Sequence, residues 1–309
     1  MTRIVLAGAG HANIQALRLL AHQTKAEILL VNAGPFAWYT GALPALIRRD
    51  ILAPQARIDL LRLAAQCGAR FIDARMVGFE HGLLHLEKSE PLAFDILSLS
   101  PGGAHIPGGV KPIPDLLSRI GALEKIVAPR VGILGAGAAG VEIALALRIR
   151  LGAAAEISLC GNELLPAAPP RAQRHAAREL RAAQIARVSA LPAGLDDTIH
   201  AYSNAPELHT GADLRVAGET HVFAAGDAAR MHPALPRSGA IAVRQGRVLA
   251  ANIRHLLAGE PLQPFKPPAA TLAILSLDHQ RALAWYGGFT WCGRAPMRLK
   301  TYLDTGWVK

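Results

Sequence analysis

Apolar residues recur along this chain in two copies of one pattern. The first copy is a strand-like run, RIVLAG at 3–8, then helical spacing through HANIQALRLLAHQ at 11–23, then a second apolar run, AEILLVNA at 26–33. The second copy starts 127 residues later: RVGILG at 130–135, helical spacing over roughly 138–151, and AEISLCG at 155–161. A short apolar run bounded by glycine suits a strand buried on both faces. With a helix between two such runs, each copy is a βαβ unit and predicts a parallel sheet.

The rest of the chain divides around these units. IDLLRLAAQCG (58–68) has helical spacing, and RFIDARMVGFE (70–80) and LLHLEKSEPLAFDILSLS (83–100) read as strands with a turn at Gly82 and a break near Pro91. PGGAHIPGG (101–109) is a loop, PDLLSRIGALEKI (114–126) a helix, and 185–220 has little periodicity. THVFAAGD (220–227) is a strand ending in a sharp turn, GAIAVRQGRVLAANIRHLLAG (239–259) a long amphipathic helix, and QPFKPP (263–268) a linker. TLAILSL in the tail is a further strand.

Composition narrows the function classes. The 33 Lys and Arg against 23 Asp and Glu give a net charge of +10, but the basic residues are scattered with no polybasic block, which fits an anionic ligand or surface and not a nucleic acid. Cys67, Cys160 and Cys292 are far apart, with no CxxC spacing for a redox dithiol or a metal. His81 and His85 would share a strand face with no third ligand, so no metal is expected there. No run reaches the roughly 18–20 apolar residues of a membrane span, and the N-terminal run is broken by Gly8, Gly10, His11 and Asn13, so the expectation is a cytoplasmic protein.

The glycine turns carry the chemistry. In GAGHAN (8–13), Gly8 makes the bend, Gly10 lets a pyrophosphate approach the backbone, and the helix opening with His11 and Ala12 offers free N–H groups to that phosphate. Asn13 replaces the third glycine, and Asn32 stands at the second strand's end, where an acid commonly holds the ribose. GAGAAG (135–140) has the full pattern: Gly135, Gly137 and Gly140, with Ala139 keeping the turn slim. Its second strand ends near Gly161, again without an acid, and Asn162 or Glu163 could serve from one or two positions on. In THVFAAGD, Gly226 and Asp227 present a carboxylate either to polyol hydroxyls or as a helix N-cap.

Taken in order, GAGHAN, FAWYTGALPALI (36–47), FDILSLSPGG (94–103), VKPI (110–113), GAGAAGVE, HVFAAGD and AVRQG (242–246) resemble the FAD-dependent pyridine nucleotide-disulfide oxidoreductases. The likeness is greatest to the branch allied with type II NADH dehydrogenases and with oxidoreductases associated with selenide, water dikinase. It implies an α/β fold of two Rossmann-like dinucleotide-binding domains, the second shortened, with a small C-terminal segment. The implied boundaries are 1–112 and 213–265 for the FAD domain, 113–212 for the NAD(P) domain, and 266–309 for an interface segment.

The resemblance also implies roles. Gly8, Gly10, His11, Ala12, Asn13, Asn32, Gly102, Gly226, Asp227 and Gln245 fall to FAD, and Gly135, Gly137, Ala139 and Gly140 to NAD(P)H. Glu142 would orient the nicotinamide carboxamide, or else serve the helix dipole. Lys111 would lie near the flavin or the acceptor. The implied reaction is hydride transfer from nicotinamide to flavin, with electrons passed to a quinone-like small acceptor.

The chain departs from that pattern in its second half. Only 86 positions separate Gly140 from Gly226, and AYSNAP (201–206) has Ser203 where the family has a glycine. An FAD-binding protein with a degenerate nicotinamide site is therefore the alternative. A sulfide:quinone-type enzyme is disfavoured, because none of the three cysteines adjoins a flavin motif. In the tail, Met297, Leu299, Tyr302, Leu303 and Trp307 interleave with Arg298, Lys300 and Lys309. Packing on the FAD domain is the favoured use, since Asp304 interrupts the stretch. A homodimer contact and a peripheral contact with the inner membrane face are the others.

Overall fold

The computed structural model describes residues 1–103, 105–202 and 207–308. The chain opens with β1 (Arg3–Ala7), α1 (His11–Leu20), β2 (Glu27–Asn32), β3 (Phe36–Trp38), α2 (Leu43–Ile47), β4 (Arg57–Asp59) and α3 (Leu60–Gln66). Next come β5 (Arg70–Asp73), β6 (Met76–Glu80), β7 (Leu83–Leu86), β8 (Ser89–Ala93), β9 (Ile96–Leu99) and α4 (Ile113–Leu123). The second βαβ phrase gives β10 (Arg130–Leu134), α5 (Ala138–Leu151) and β11 (Glu156–Cys160), followed by α6 (Pro170–Ala182), β12 (Ala186–Val188) and β13 (Asp197–His200). Beyond it lie β14 (Leu208–His209), β15 (Val222–Ala224), β16 (Ala229–Arg230) and α7 (Gly239–Ala258). The tail forms β17 (Ala273–Ser276), β18 (Ala282–Tyr286), β19 (Phe289–Gly293) and α8 (Arg294–Val308).

These elements form two units, each assembled from three stretches of chain. The first holds Met1–Ala37, Ile58–Ala104 and Ala205–Pro268; the second holds Trp38–Arg57, His105–Asn204 and Ala269–Lys309. The chain passes between the units at 37/38, 57/58, 104/105, 204/205 and 268/269. Residues 38–57 and the tail join the second unit. The turn AYSNAP, with Ser203, lies outside the described residues from 203 on, as does Lys309.

The first unit is built on a Rossmann-like parallel sheet of order β15-β9-β1-β2-β5. Val5, Ala7, Leu29, Val31, Leu97 and Leu99 supply one buried face, packed against Leu84 of the antiparallel β6-β7-β8 sheet. Helices α1 and α7 pack closely on each other: a Cβ on Gly246 would sit 2.5 Å from the Ala12 carbonyl oxygen, so only glycine fits. Two sequence expectations need correcting here. Pro91 lies inside β8, an outer strand of its sheet where a missing N–H is tolerated, and does not break it. His81 sits in the β6–β7 turn at φ 48° instead of sharing a strand face with His85.

The second unit has a four-stranded Rossmann-like parallel sheet, order β12-β11-β10-β13. Helix α5 is apolar nearly all round and buries Val141, Ile143, Ala144, Leu145, Ala146 and Leu147. A short link from Val188 to Asp197 joins β12 to β13. Arg119 of α4 fastens the start of β13, donating from Nη2 to Asp197 Oδ1 at 2.9 Å and to the Thr198 carbonyl at 3.0 Å. The antiparallel β17-β18-β19 sheet and α8 belong to this unit, and α8 packs on that sheet. Among the described residues no helix is long and apolar enough to cross a membrane.

Candidate functional site

Each parallel sheet carries a glycine turn at the carboxyl end of its central strand, the place where doubly wound sheets bind ligands. Gly8 has φ +88° and donates its N–H to Val31 O at 2.8 Å; Gly135 has φ +110° and donates to Cys160 O at 2.8 Å. These left-handed conformations explain the first glycine of both turns. The helices that follow, α1 and α5, have no side-chain cap and no acid in the first turn. By contrast, Asp59 caps α3 by accepting from Arg62 N–H at 3.0 Å, and Ser238 caps α7 by accepting from Ile241 N–H at 3.2 Å. The uncapped N–H groups of α1 and α5 suit a pyrophosphate.

In the first unit Ser100, which the sequence reading did not single out, organises the site. It is 2% exposed, takes the Gly10 N–H on its carbonyl at 2.7 Å, and donates its own N–H to Ala7 O at 2.9 Å. A Cβ on Gly10 would overlap Ser100, and one on Gly226 would come 3.5 Å from Ser100 Oγ. Gly10 is therefore required by packing, not only by the approach of a ligand. Gly226 has φ +70° and opens a single 3-10 turn containing Asp227, half-buried at the end of β15. Asp227 does not cap the long helix, whose N-cap is Ser238.

Gln245 of α7 is 2% exposed and accepts the Gly226 N–H on Oε1 at 2.7 Å, so its side chain holds the GD turn in shape. Thus the RQG stretch has two mechanical duties, with Gln245 gripping the turn and Gly246 admitting α1. The ring of His11 lies beside the start of α7, with Nε2 3.3 Å from where a Cβ of Gly239 would be. Gly102, at φ +76°, continues the loop from Ser100.

Asn13 and Asn32 are both turned toward the turn itself. Asn13 is wholly buried, and its Nδ2 donates to Gly8 O at 2.9 Å, Ala7 O at 3.1 Å and Ser98 O at 3.2 Å, while Oδ1 accepts from Ser98 Oγ at 2.7 Å. Asn32 Oδ1 accepts the Ala9 N–H at 3.1 Å, and Nδ2 donates to Gly34 O at 3.0 Å. An acid does reach this sheet edge from the neighbouring strand: Asp73 of β5 is the register partner of Asn32 and accepts the Gly34 N–H at 2.7 Å. Only the pairing of β2 with β5 reveals it.

In the second unit the turn is open where the first is crowded. A Cβ on Gly137 would meet nothing within 4 Å, and Ala139 is exposed. A Cβ on Gly140 would collide with Gly135 O, so the third glycine lets α5 start against its own turn. Gly161 explains the missing acid: a Cβ there would lie 2.7 Å from Ala136 Cβ, so no side chain fits. Asn162 and Glu163 are exposed, and Glu163 Oε1 accepts from Gln173 Nε2 at 3.4 Å. Lys111 follows Gly109, which is bridged to His200 at the end of β13.

Glu142 belongs to the body of α5, and its Oε1 accepts the Ser276 N–H at 2.7 Å. Burial pushes its carboxyl above the usual carboxylate range, against the pull of Lys300 and the Ser276 N–H. Lys300 is 8% exposed and donates to Gly41 O at 2.7 Å and Asp304 Oδ2 at 2.9 Å; Tyr39 donates to Asp304 Oδ1 at 2.9 Å. Burial, then Asp304, pushes the Tyr39 hydroxyl up. Asp304, expected to interrupt an apolar tail, is the acceptor that organises this group.

No protein-family profile matches the chain. Demethylphylloquinone reductase NdbB of Synechocystis sp. (strain ATCC 27184 / PCC 6803 / Kazusa) is 27% identical over 340 aligned positions, spanning 88% of this chain and 84% of the relative. The structure of the sulfide:quinone oxidoreductase from the hyperthermophilic bacterium Aquifex aeolicus matches with a TM-score of 0.83 at 13% identity, over 99% of this chain and 90% of the other. NDH2 from Plasmodium falciparum in complex with NADH matches with a TM-score of 0.81 at 13% identity, over 98% and 97%. At such identities the structures show a common fold. With two Rossmann-like sheets and a glycine turn on each, the chain shares its fold with these oxidoreductases along nearly its whole length.

Proposed function

We propose that the protein is an FAD-dependent oxidoreductase that takes a hydride from NAD(P)H and passes electrons to a quinone-like acceptor, on the branch allied with type II NADH dehydrogenases and selenide, water dikinase-associated enzymes. The observation that carries this reading is the convergence of the Gly8–Gly10 turn and the Gly226–Asp227 turn on Ser100 at one sheet edge. A demethylphylloquinone reductase among the relatives supports the quinone-like acceptor, and a matching NDH2 with NADH supports the nicotinamide donor.

Bound FAD supplies the ring system that takes up the hydride and gives up the electrons. The residues of the chain bind and orient. The uncapped α1 N-terminus, with His11 and Ala12, holds the FAD pyrophosphate, and Asn32 and Asp73 border the ribose. Asp227 accepts hydrogen bonds from the ribityl-phosphate region, and the chain at Gly102 and Gln245 lines the flavin. Gly135, Gly137, Ala139 and Gly140 place the uncapped α5 N-terminus at the NAD(P)H pyrophosphate. Glu142, whose carboxyl is pushed above the usual carboxylate range by burial, orients the carboxamide; Lys111 lies near the flavin or the acceptor.

The test is the visible spectrum of the purified chain, followed by NADH and then NADPH without oxygen. A yellow protein that bleaches supports the reading, and turnover with quinones identifies the acceptor class; a colourless protein that takes up no added FAD sinks it. Asp227→Ala should lower FAD occupancy by about tenfold or more, the worth of a charge-assisted hydrogen bond. Gly161, jammed against Ala136 where an acid would grip a ribose, favours a second reading: an FAD protein with a degenerate nicotinamide site. Yellow protein that neither bleaches nor binds NAD(P)H would select it.

The exposed Tyr302 (77%) of α8 and Phe289 (78%) of β19 support a peripheral contact with the inner face of a membrane, where quinones reside. Flotation with anionic vesicles, lost on Tyr302→Ser, checks this.

A further inference from the structure

Sequence spacing offers no metal site, yet the second unit folds three potential ligands together. Among the described residues, one group of three or more His, Cys, Asp or Glu side chains converges: His175 and Glu179 of α6 with Cys292 of β19, their ligand atoms all within 4.8 Å of one another. His175 and Glu179 are four apart on one helix and project from the same face. Cys292 comes from the tail, on the strand that pairs with β18, and β18 is the strand against which α6 packs. All three are half-buried, unlike an ordinary surface cluster.

We propose that His175, Glu179 and Cys292 form a site for a zinc-class divalent cation, which pins α6 to the C-terminal sheet. The donor set is one imidazole nitrogen, one carboxylate oxygen and one thiolate sulfur. Zinc takes these together in tetrahedral sites, with a fourth position left for water. Bond lengths of about 2.0–2.3 Å place ligand atoms roughly 3.5 Å apart, so side-chain rotations that close the present spacing by about 1 Å complete the site. Binding replaces the Cys292 proton with the metal and releases it to solvent.

The neighbouring groups fit a site that is charge-balanced without its ion. Arg281 donates to both oxygens of Glu179, at 3.3 and 3.0 Å, and Arg178 Nη2 is 3.1 Å from His175 Nδ1. Arg281 also donates from Nε to Asp278 Oδ2 at 2.7 Å, so Glu179 can turn an oxygen to the cation without leaving the guanidinium unpaired. The neutral imidazole, carboxylate and thiolate then offset a dication.

The experiment uses the purified full chain with its bound flavin, stripped with chelator, equilibrated with Zn(II) and passed over a desalting column. About one zinc per chain should remain, with an X-ray absorption shell of one sulfur at about 2.3 Å and lighter atoms at about 2.0–2.1 Å. Cys292→Ser and His175→Gln should each lose most of this zinc, and the double variant His81→Ala/His85→Ala should keep it. Zinc should also raise the melting temperature of the parent chain and not that of Cys292→Ser. A parent chain that retains no zinc, a zinc shell without sulfur, or unchanged retention in both Cys292→Ser and His175→Gln would overturn the proposal. Because the readouts are metal content and melting, failure here leaves the flavin reading standing.

Discussion

Gly10 and Gly137 occupy the same place in two copies of one turn, yet one is jammed and the other open. Gly10 abuts Ser100 and accepts no Cβ, whereas a Cβ at Gly137 would meet nothing within 4 Å. The third position differs as well, with Asn13 joined to three carbonyls in the first turn and Gly140 pressed on Gly135 in the second. The first turn is thus held by its own protein and by the GD turn through Ser100 and Gln245. The second keeps the backbone shape without such a clamp at Gly137. A complete glycine pattern is no measure of how firmly a turn is built.

The largest effect expected on this comparison is from Gly140→Ala. Its methyl collides with backbone that cannot withdraw, so the cost should be about 3 kcal/mol or more, read as a lower denaturation midpoint. Next is Asn13→Gly, which completes the fingerprint of the first turn but strips buried carbonyls of their donor. It should destabilise the chain by about 2–3 kcal/mol, and an unchanged midpoint would refute the clamp. Gly10→Ala and Gly137→Ala then form a matched pair. The first should cost about 1–3 kcal/mol and reduce FAD occupancy; the second should cost under about 0.5 kcal/mol and weaken only NAD(P)H binding, measured by titration.

The smallest effect concerns pH. The carboxyl of Glu142 holds its proton more tightly when folded than unfolded, so stability falls as pH rises from the ordinary carboxylate value through the raised one. Glu142→Gln should flatten that segment of the melting-temperature profile.

Much of this architecture is legible in the sequence because it is local. Both βαβ phrases, with helices starting at His11 and Ala138, follow from short apolar runs and glycine turns. The lost acid at the end of β11 can be seen as absent, but its cause, Gly161 against Ala136, needs the fold. Ser100 carries no chemical signal of its own, and matters through its neighbours. Asp73 becomes relevant only by register with Asn32, and Cys292 meets His175 only through the pairing of β18 with β19. In the tail, the interleaving of Arg298, Lys300 and Lys309 with apolar residues groups Lys300 with the surface cations. Instead the helix turns Lys300 inward to Gly41 and Asp304 and leaves Tyr302 outside.

The interleaving of the two units imposes an order on synthesis. The first unit needs β15, which pairs with β9, and α7, which packs on α1, so it closes only after residue 258 has been made. The second waits longer still, for Ser276 to meet Glu142 and Lys300 to reach Gly41. A nascent chain therefore carries a first parallel sheet that lacks β15 and so has an open strand edge, and a second unit without its C-terminal sheet and α8, until most of this region has been translated. Ribosome-bound fragments ending before β15 should be open to protease in both units, and the first unit should gain protection before the second.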